Sequence, residues 1–285
     1  CGARSIRYGT MRDNVSALEA IFIDGSRHQF GLSSRDNEPN RFNRQLFDIG
    51  DKYAEEVAHR FPDVQRRVGG YNIDALARLP NGTNNLAHLL VGSEGTLAYS
   101  ERIQLHLSNL PSHKVLGVCH FPTFYAAMDS AQHIVKLGPS AVELVDRTMI
   151  ELARDIPLFR DVIGQIVVGQ PDALLLVEFS GDDFDAQLQG LKQLQELMSD
   201  LGFSGGVTEA LNPGFQKEIW EVRKSGLNIM MSMKGDGKPV SFIEDCAVRL
   251  EDLAEYTRRL TEIFSKYETS GTWYAHASVG CLHVR

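Results

Sequence analysis

Cysteine is scarce in this sequence, and the few cysteines are far apart. The 285 residues include four, namely Cys1, Cys119, Cys246 and Cys281, and none belongs to a C-x-x-C pair. This spacing indicates neither a disulfide framework nor a zinc finger. We therefore expect a reducing, cytoplasmic setting for the protein.

Long apolar runs and long runs of one charge are also missing. No stretch is apolar for long enough to span a bilayer, and the chain does not begin with a basic segment followed by an apolar one, as a signal peptide would. The formal net charge of −8 comes from 29 basic and 37 acidic residues mixed along the chain, which argues against a nucleic-acid partner. With 43% hydrophobic residues, the chain is an ordinary globular one, and its length predicts two domains.

The first third of the chain combines strands with one long helix. Residues 18–23 are apolar and β-prone, and Asp24-Gly25 then predicts a hairpin through a primed turn to residues 28–30. Apolar residues at three- and four-residue steps predict an amphipathic helix over 41–61. A further strand is predicted over 96–107.

Leu110-Pro111-Ser112 is the best linker candidate, so we divide the chain into domains 1–110 and 111–285. Strands and helices alternate regularly in the second domain. Strands are predicted over 115–121, 141–145, 174–179, 206–209, 240–248 and 272–284. Helices are predicted over 124–136, from Asp146 onward, and over 183–201, 215–231 and 250–267. Helices covering one face of a mostly antiparallel sheet in a split β-α-β order predict an α+β, ferredoxin-like domain.

A glycine-rich turn at Gly92-Ser93-Glu94-Gly95 precedes the strand over 96–107. Its backbone N–H groups could approach a phosphate or a ring system closely, although a plain connector would have the same composition. The turn does not match the G-x-G-x-x-G fingerprint. Gly235-Asp236-Gly237-Lys238 does not match a P-loop, because Pro239 occupies the position that requires Ser or Thr.

Two histidines near the end of the chain, His276 and His283, are seven residues apart around a spacer that contains glycine. In a straight strand they would point to opposite faces, whereas an irregular glycine loop could bring both rings to one metal ion. A structural role is the common alternative for such a pair. Arg223 lies in a predicted helix, where a solvated arginine is the ordinary case.

Several segments, in this order, resemble FAD-linked oxidases of the vanillyl-alcohol oxidase type, and the resemblance spans the whole chain. They are CGARSIRYGTMRDNV at 1–15, GYN at 70–72, GSEGTL at 92–97, AVELVDR at 141–147 and FIEDCAV at 242–248. The resemblance is to the D-lactate, glycolate and D-2-hydroxyglutarate dehydrogenase branch in particular. It implies the second half of an FAD-binding domain, followed by an FAD-oxidase C-terminal domain that caps the substrate.

The same resemblance implies a set of FAD contacts. They are Gly2, Arg7, Tyr8, Gly9, Gly92, Glu94, Gly95 and Thr96. The family's N-terminal half, with its pyrophosphate loop, has no counterpart here, so we expect this sequence to be a fragment that also lacks the C-terminal end. Without that loop, the fragment should bind FAD poorly by itself.

For the histidines, the resemblance implies ligation of a divalent zinc, iron or manganese ion by His276 and His283, with a later Glu beyond Arg285. The family's Asp and Asn correspond here to Val279 and Cys281. A metal-free role for either histidine, as a base or as a contact to a carboxylate, therefore stays open. Arg223 matches an arginine that holds the substrate carboxylate.

The resemblance thus implies an FAD-dependent dehydrogenase that oxidises a D-2-hydroxy acid to the 2-oxo acid, with His276, His283 and Arg223 as catalytic residues. Electrons would pass to an iron-sulfur region outside this sequence, an electron-transfer protein or a quinone, and the acceptor could place the enzyme at a membrane surface. A homo-oligomer is left open. Two alternatives remain: a non-catalytic module that binds a metabolite or another chain, and a flavin oxidase of a neutral alcohol.

Overall fold

The structure is a computed structural model that describes residues 2–37, 40–231, 240–241 and 243–285. The turn at 235–238, Cys1 of the first family-like segment and Phe242 of the last one lie outside the described residues. The chain forms two compact units. The first contains Tyr8–Asp63 and Arg67–Asn109, and the second contains Gly2–Arg7, Val64–Arg66 and Leu110–Arg285.

Helices and strands are numbered along the chain. The helices are α1 (Ser5–Tyr8), α2 (Met11–Asn14), α3 (Arg41–Arg60), α4 (Phe124–Ile134), α5 (Arg147–Asp155), α6 (Pro157–Ile166), α7 (Phe184–Asp200), α8 (Pro213–Lys224), α9 (Gly226–Met231) and α10 (Leu253–Lys266). The strands are β1 (Val15–Ile21), β2 (Arg27–Phe30), β3 (Leu32–Ser34), β4 (Thr83–Asn85), β5 (Tyr99–Leu105), β6 (His113–Phe121), β7 (Ala141–Asp146), β8 (Ala173–Gly181), β9 (Val207–Ala210), β10 (Ile243–Ala247), β11 (Trp273–His276) and β12 (Cys281–Val284). None of the described helices is both long enough and apolar enough to cross a membrane.

The first unit contains a three-stranded antiparallel sheet in the order β2-β1-β5 and a β3-β4 pair. Helix α3 begins after Asn40, whose side chain accepts a hydrogen bond from Phe42 N, and packs buried Leu46 and Phe47 into the core. The predicted helix and hairpin are confirmed, but the primed turn is wrong. A longer loop closes through Phe22 N and Ser26 O, and Gly25 adopts φ +82° within it.

A seven-stranded sheet in the order β10-β12-β11-β7-β8-β6-β9 organises the second unit, and neighbouring strands pair antiparallel. The predicted α+β class is confirmed. Helices cover both faces rather than one, because the central strands are apolar at nearly every position. One core contains side chains of α4, α7 and α10, and the other contains side chains of α5, α6 and α8.

Two predicted elements of the second unit are divided in the structure. The strand expected over 272–284 is a hairpin of β11 and β12, which turns at Gly280 with φ +63°. A Cβ at Gly280 would lie 2.1 Å from Val248 O, so the turn depends on glycine. The helix expected over 215–231 is interrupted at Ser225, between α8 and α9. Gly226 follows the break, and a Cβ there would meet Met149 Cε at 2.9 Å.

Candidate active site

Two carboxylates are buried on one face of the large sheet. Glu143 on β7 and Glu178 on β8 are each 1% exposed. Side chains two residues apart share a face of a strand, so Glu143 lies on the face of Ala141 and Val145, which α5, α6 and α8 cover. A buried carboxylate is stable only when it is paired and hydrogen-bonded.

Glu143 joins two of the three residues that the sequence predicts to be catalytic. Arg223 Nη2, on α8, donates to Glu143 Oε2 at 2.7 Å, and His276 Nδ1 lies 2.8 Å from Oε1. His276 is the direct cross-strand partner of Glu143 in the β7–β11 pair. Because an ionised carboxylate only accepts hydrogen bonds, this contact assigns the neutral ring's proton to Nδ1. Nε2 is then left as an acceptor.

Arg223 is nearly buried, with a side chain that is 11% exposed. Its Nη2 also lies 3.5 Å from Ala275 O, and its guanidinium carbon lies 5.4 Å from the centre of the Tyr274 ring. Its Nε is buried and has no hydrogen-bond partner in the described part of the chain. Glu143 therefore fixes one side of the Arg223 guanidinium group, and N–H groups on the other side can still donate hydrogen bonds.

Glu178 forms a second ion pair, in which its own carboxylate is buried and the Arg4 side chain is partly exposed. Arg4 Nε and Nη2 each donate to a Glu178 oxygen at 2.7 Å, and Ser140 Oγ donates to Oε1 at 3.0 Å. Burial by itself would raise the pKa of Glu178, but the hydrogen bonds and charge of Arg4, with help from Lys114 and Ser140, hold this pKa below its ordinary value. The carboxylate is therefore ionised at neutral pH.

A cavity of about 690 Å³ in the second unit adjoins both ion pairs. Cations are the commonest charged groups of its wall: Arg4, Lys114, Lys217, Arg223 and Lys224. Among the described residues that line it, Glu143 and Glu178 are the only carboxylates, and Arg223 and Arg4 already neutralise them. The remaining positive charge suits an anionic ligand, and His276 contributes to the same wall.

His283 lies beside His276, because the hairpin places them on adjacent strands. The ring centres are 5.4 Å apart and the ring planes are at 89°. His283 Nδ1 lies 2.6 Å from Glu244 Oε2, and the ring stacks on Tyr274. Its Nε2 is buried without a hydrogen-bond partner among the described residues. Burial lowers the pKa of His283, and the nearby Glu244 carboxylate opposes this effect.

One group of side chains in the described ranges could hold a metal ion. It comprises Asp245, Cys281 and His283, whose ligand atoms all lie within 4.8 Å of one another. Asp245 also accepts a hydrogen bond from Arg66 Nη2 at 3.0 Å. Imidazole, thiolate and carboxylate together are a donor set that zinc accepts.

In the first unit, the two family-like segments at 70–72 and 92–97 contact each other. Asn72 Nδ2 donates to Val91 O at 2.8 Å, and the Tyr71 hydroxyl lies 2.8 Å from Thr96 Oγ1. Of the predicted FAD contacts in this turn, Gly92, Glu94 and Gly95 all have positive φ, at 79°, 53° and 78°. A Cβ on Gly95 would meet no atom within 4 Å, so the surface beside it is open.

The other predicted FAD contacts lie near the start of the chain. Gly2 and Arg7 belong to the second unit, while Tyr8 and Gly9 belong to the first. Arg7 Nη1 donates to Ser180 O and, at 2.9 Å, to Ser180 Oγ. Gly9 has φ +69°. Their contact with FAD stays a prediction.

Glu143, Glu178 and Glu244 were missed by the sequence reasoning. For the first two a signal exists, because an acidic residue inside an otherwise apolar, buried strand requires a partner. Both AVELVD and LLLVEFS contain such a residue. The partners themselves are not readable from the sequence, since His276 is 133 residues away from Glu143.

Comparisons with known proteins identify the family of the chain. The family model "FAD linked oxidases, C-terminal domain" matches residues 110–285. A D-2-hydroxyglutarate dehydrogenase of Pantoea ananatis is 28% identical over 309 aligned residues, which cover 100% of this chain and 30% of that protein. The mitochondrial cytochrome-type D-lactate dehydrogenase of Arabidopsis thaliana is 27% identical over 99% of this chain and 41% of its own length.

A solved structure of alkyldihydroxyacetonephosphate synthase has the same fold, with a TM-score of 0.54 and 13% identity. It covers 99% of this chain, which corresponds to 46% of the synthase chain. This chain thus spans about 30% of the length of the D-2-hydroxyglutarate dehydrogenases that it matches.

Proposed function

Because the chain belongs to the family of FAD linked oxidases, whose C-terminal domain covers residues 110–285, we propose that the protein oxidises a D-2-hydroxy acid to the 2-oxo acid. The observation that carries this proposal is the cationic cavity in which Glu143 holds both Arg223 and His276. D-2-Hydroxyglutarate, D-lactate and glycolate are the substrate types that the relatives' names suggest.

Binding of the substrate carboxylate is assigned to Arg223. One side of its guanidinium is fixed by Glu143, so little side-chain entropy remains to be lost when the other side binds an anion. Lys114 and Lys217 form no ion pair within the described ranges and add positive charge to the same cavity. A second carboxylate, as in a dicarboxylic substrate, would find a cation there.

We assign His276 as the base that removes the proton of the substrate hydroxyl. Because Glu143 accepts the Nδ1 proton, the Nε2 lone pair is available, and Glu143 stabilises the imidazolium that forms when Nε2 takes the proton. In this arrangement the base and the carboxylate contact are positioned by one buried side chain. A 2-hydroxy acid carries its hydroxyl next to its carboxylate, which fits such a spacing.

FAD, when bound, would accept the α-hydrogen as hydride. The proposed contacts fit a flavin within each unit. The open surface at Gly95, between the positive-φ residues Gly92 and Glu94 and the Thr96 hydroxyl, would admit a flat ring or a phosphate, and Tyr8 and Gly9 are proposed to add to it. Gly2, which has no atom near its Cβ position, and Arg7 are the proposed contacts of the second unit.

A divalent metal ion also fits the residues present, because His283 Nε2 is a buried acceptor without a partner among the described residues. The family resemblance implies His276 and His283 as its ligands, but in this structure His276 contacts Glu143 and is not among the side chains grouped around His283. Such an ion would act as a Lewis acid that lowers the pKa of a bound hydroxyl. The assignment of the hydroxyl proton to His276 does not require the ion.

Anaerobic reduction of the flavin in the full-length protein tests this function. D-2-Hydroxyglutarate, D-lactate and glycolate should bleach the flavin absorbance, and an L-2-hydroxy acid or a neutral alcohol of similar size should not. Arg223→Lys keeps the positive charge but loses the planar guanidinium group that can donate two hydrogen bonds to a carboxylate. It should weaken binding of a D-2-hydroxy acid by about 2 kcal/mol or more. Arg147→Lys, an exposed control that pairs with Asp172, should leave binding unchanged. Equal reduction by a neutral alcohol, or none by any acid, would reject the proposal.

A further inference from the structure

None of the three side chains of the metal-ligating group on β10 and β12 lines the cationic cavity, although the His283 ring adjoins that of His276. Asp245, Cys281 and His283 place their ligand atoms within 4.8 Å of one another. Within the described ranges, His276 is not a member of this group. Its ring instead lines the cavity and contacts Glu143.

Strand pairing explains why these three side chains meet. Cys281 and His283 are two residues apart on β12 and so share a face of the strand. β10 pairs with β12 through Cys246 and Ala247, and the register shifts between Ile243 and Cys246. Asp245 lies at this irregularity with φ +52°, which carries its carboxylate toward the Cys281 thiol, with Sγ to Oδ1 at 3.6 Å.

A buried ring nitrogen of His283 without a hydrogen-bond partner among the described residues indicates that this group binds a ligand. Its side chain is 9% exposed. Nδ1 is held by Glu244 at 2.6 Å, so Nε2 is the ring nitrogen left for coordination, and this atom is buried with no hydrogen-bond partner in the described residues. A buried polar atom without a partner is costly, and it is explained most simply by an ion or a water molecule at that position.

The Cys281 thiol favours a metal ion over a water molecule at this position. Its side chain is fully buried, and a thiol is too weak a hydrogen-bonding group to satisfy an imidazole nitrogen well. Thiolate and imidazole together are the preferred donors of zinc, and a carboxylate oxygen completes a three-ligand set with one open position.

We propose that Asp245, Cys281 and His283 bind a zinc ion, with the Cys281 thiolate as a ligand at the position where the family pattern has asparagine. Glu244 orients the His283 ring by accepting its Nδ1 proton, as carboxylates commonly do for zinc-bound histidines. Arg66 Nη2 donates to Asp245 Oδ1, the same oxygen that contacts the Cys281 thiol. In this proposal His276 lines the cavity and His283 coordinates the ion, so the two histidines have different roles.

X-ray absorption at the zinc edge of the full-length protein, loaded with Zn²⁺ and freed of excess metal, tests the ligand set directly. We expect a sulfur neighbour at about 2.3 Å together with nitrogen or oxygen neighbours at about 2.0–2.1 Å. Cys281→Ser should remove the sulfur neighbour and weaken zinc binding by at least about 10-fold. Cys246→Ser, on the adjacent strand and outside the group, should change neither.

Two further variants keep the test decisive if Cys281→Ser folds poorly. Asp245→Asn should weaken zinc binding as well, and asparagine accepts the positive φ at this position. His276→Ala should retain zinc, because His276 is outside the group. A zinc shell of nitrogen and oxygen alone, zinc lost with His276→Ala, or no zinc retained by the wild-type protein would each overturn the proposal. The flavin-reduction test does not depend on these outcomes, so the two proposals can fail separately.

Discussion

Glu143→Gln is the perturbation that tests the central ion pair most directly. The carboxylate is 1% exposed and accepts from Arg223 at 2.7 Å and from His276 at 2.8 Å. A glutamine has nearly the same shape, but it leaves the charge of Arg223 without a counter-charge, and its amide nitrogen can donate to His276 only if the ring proton moves from Nδ1 to Nε2. Removing one partner of a buried pair costs about 3–5 kcal/mol. Because Arg223 keeps slight exposure, we expect a loss of about 2–3 kcal/mol.

Urea unfolding followed by tryptophan fluorescence measures this loss in the chain described here. Both tryptophans, Trp220 and Trp273, belong to the second unit, so the signal reports the unit that contains the ion pair. Glu221→Gln is the matched control, since Glu221 pairs with Lys224 at the surface of α8. It should cost less than about 0.5 kcal/mol.

A double-mutant cycle with Arg223→Met separates the pair from general damage to the fold. The coupling energy between Glu143→Gln and Arg223→Met should exceed about 1 kcal/mol, because the second change removes a charge that the first left unpaired. Equal unfolding free energies for Glu143→Gln and Glu221→Gln would refute the conclusion that Glu143 holds the site together. Additive effects in the cycle would refute it as well.

Three further changes test other parts of the chain. Burial would raise the pKa of Glu178, but Arg4 lowers this pKa below its ordinary value of 4.5. The ion pair therefore stabilises the fold above pH 4.5, and this stabilisation is lost as the pH falls through the lowered pKa. The urea midpoint of the wild-type protein should consequently fall more steeply with acid than that of Glu178→Gln. Gly280→Ala should lower the free energy of unfolding by about 3 kcal/mol, because the alanine would have a positive φ and its Cβ would collide with a carbonyl. Gly138 also has a positive φ but lies in open space, so Gly138→Ala should lower the free energy of unfolding by only about 1 kcal/mol in the same urea titration. Asn72→Ala leaves two carbonyls without their donor and should raise amide exchange in the glycine-rich turn, with a local cost of about 1–3 kcal/mol.

The sequence predicts elements well where one local pattern determines them. Helix α3 shows its apolar period clearly and ends before Pro62, and its prediction is accurate to one residue. The hairpin of β11 and β12 shows no such pattern, because β12 is buried at every position. A strand buried on both faces has no alternation, so residues 272–284 resemble one continuous strand. Gly280 is the only local sign of the turn.

The site is predicted in part for a related reason. Arg223, His276 and His283 carry signals in the sequence, and the structure brings all three into the second unit. What the sequence could not provide is the pairing of β7 with β11, which places Glu143 opposite His276. Pairing of distant strands depends on the packing of the whole sheet rather than on any local motif. Carboxylates inside apolar strands are the feature from which such a site could be suspected in advance.

The two histidines illustrate how a sheet can give different chemistry to neighbouring residues. Each presents Nδ1 to a carboxylate, but the carboxylates come from opposite sides of the hairpin: Glu143 on β7 and Glu244 on β10. The rings are consequently nearly perpendicular, although their strands are adjacent. Because each Nδ1 proton is engaged, each ring offers only Nε2. One ring lines a cavity with an excess of positive charge, while the other is buried near a thiol and a carboxylate, so an anionic substrate suits the first and a metal cation suits the second.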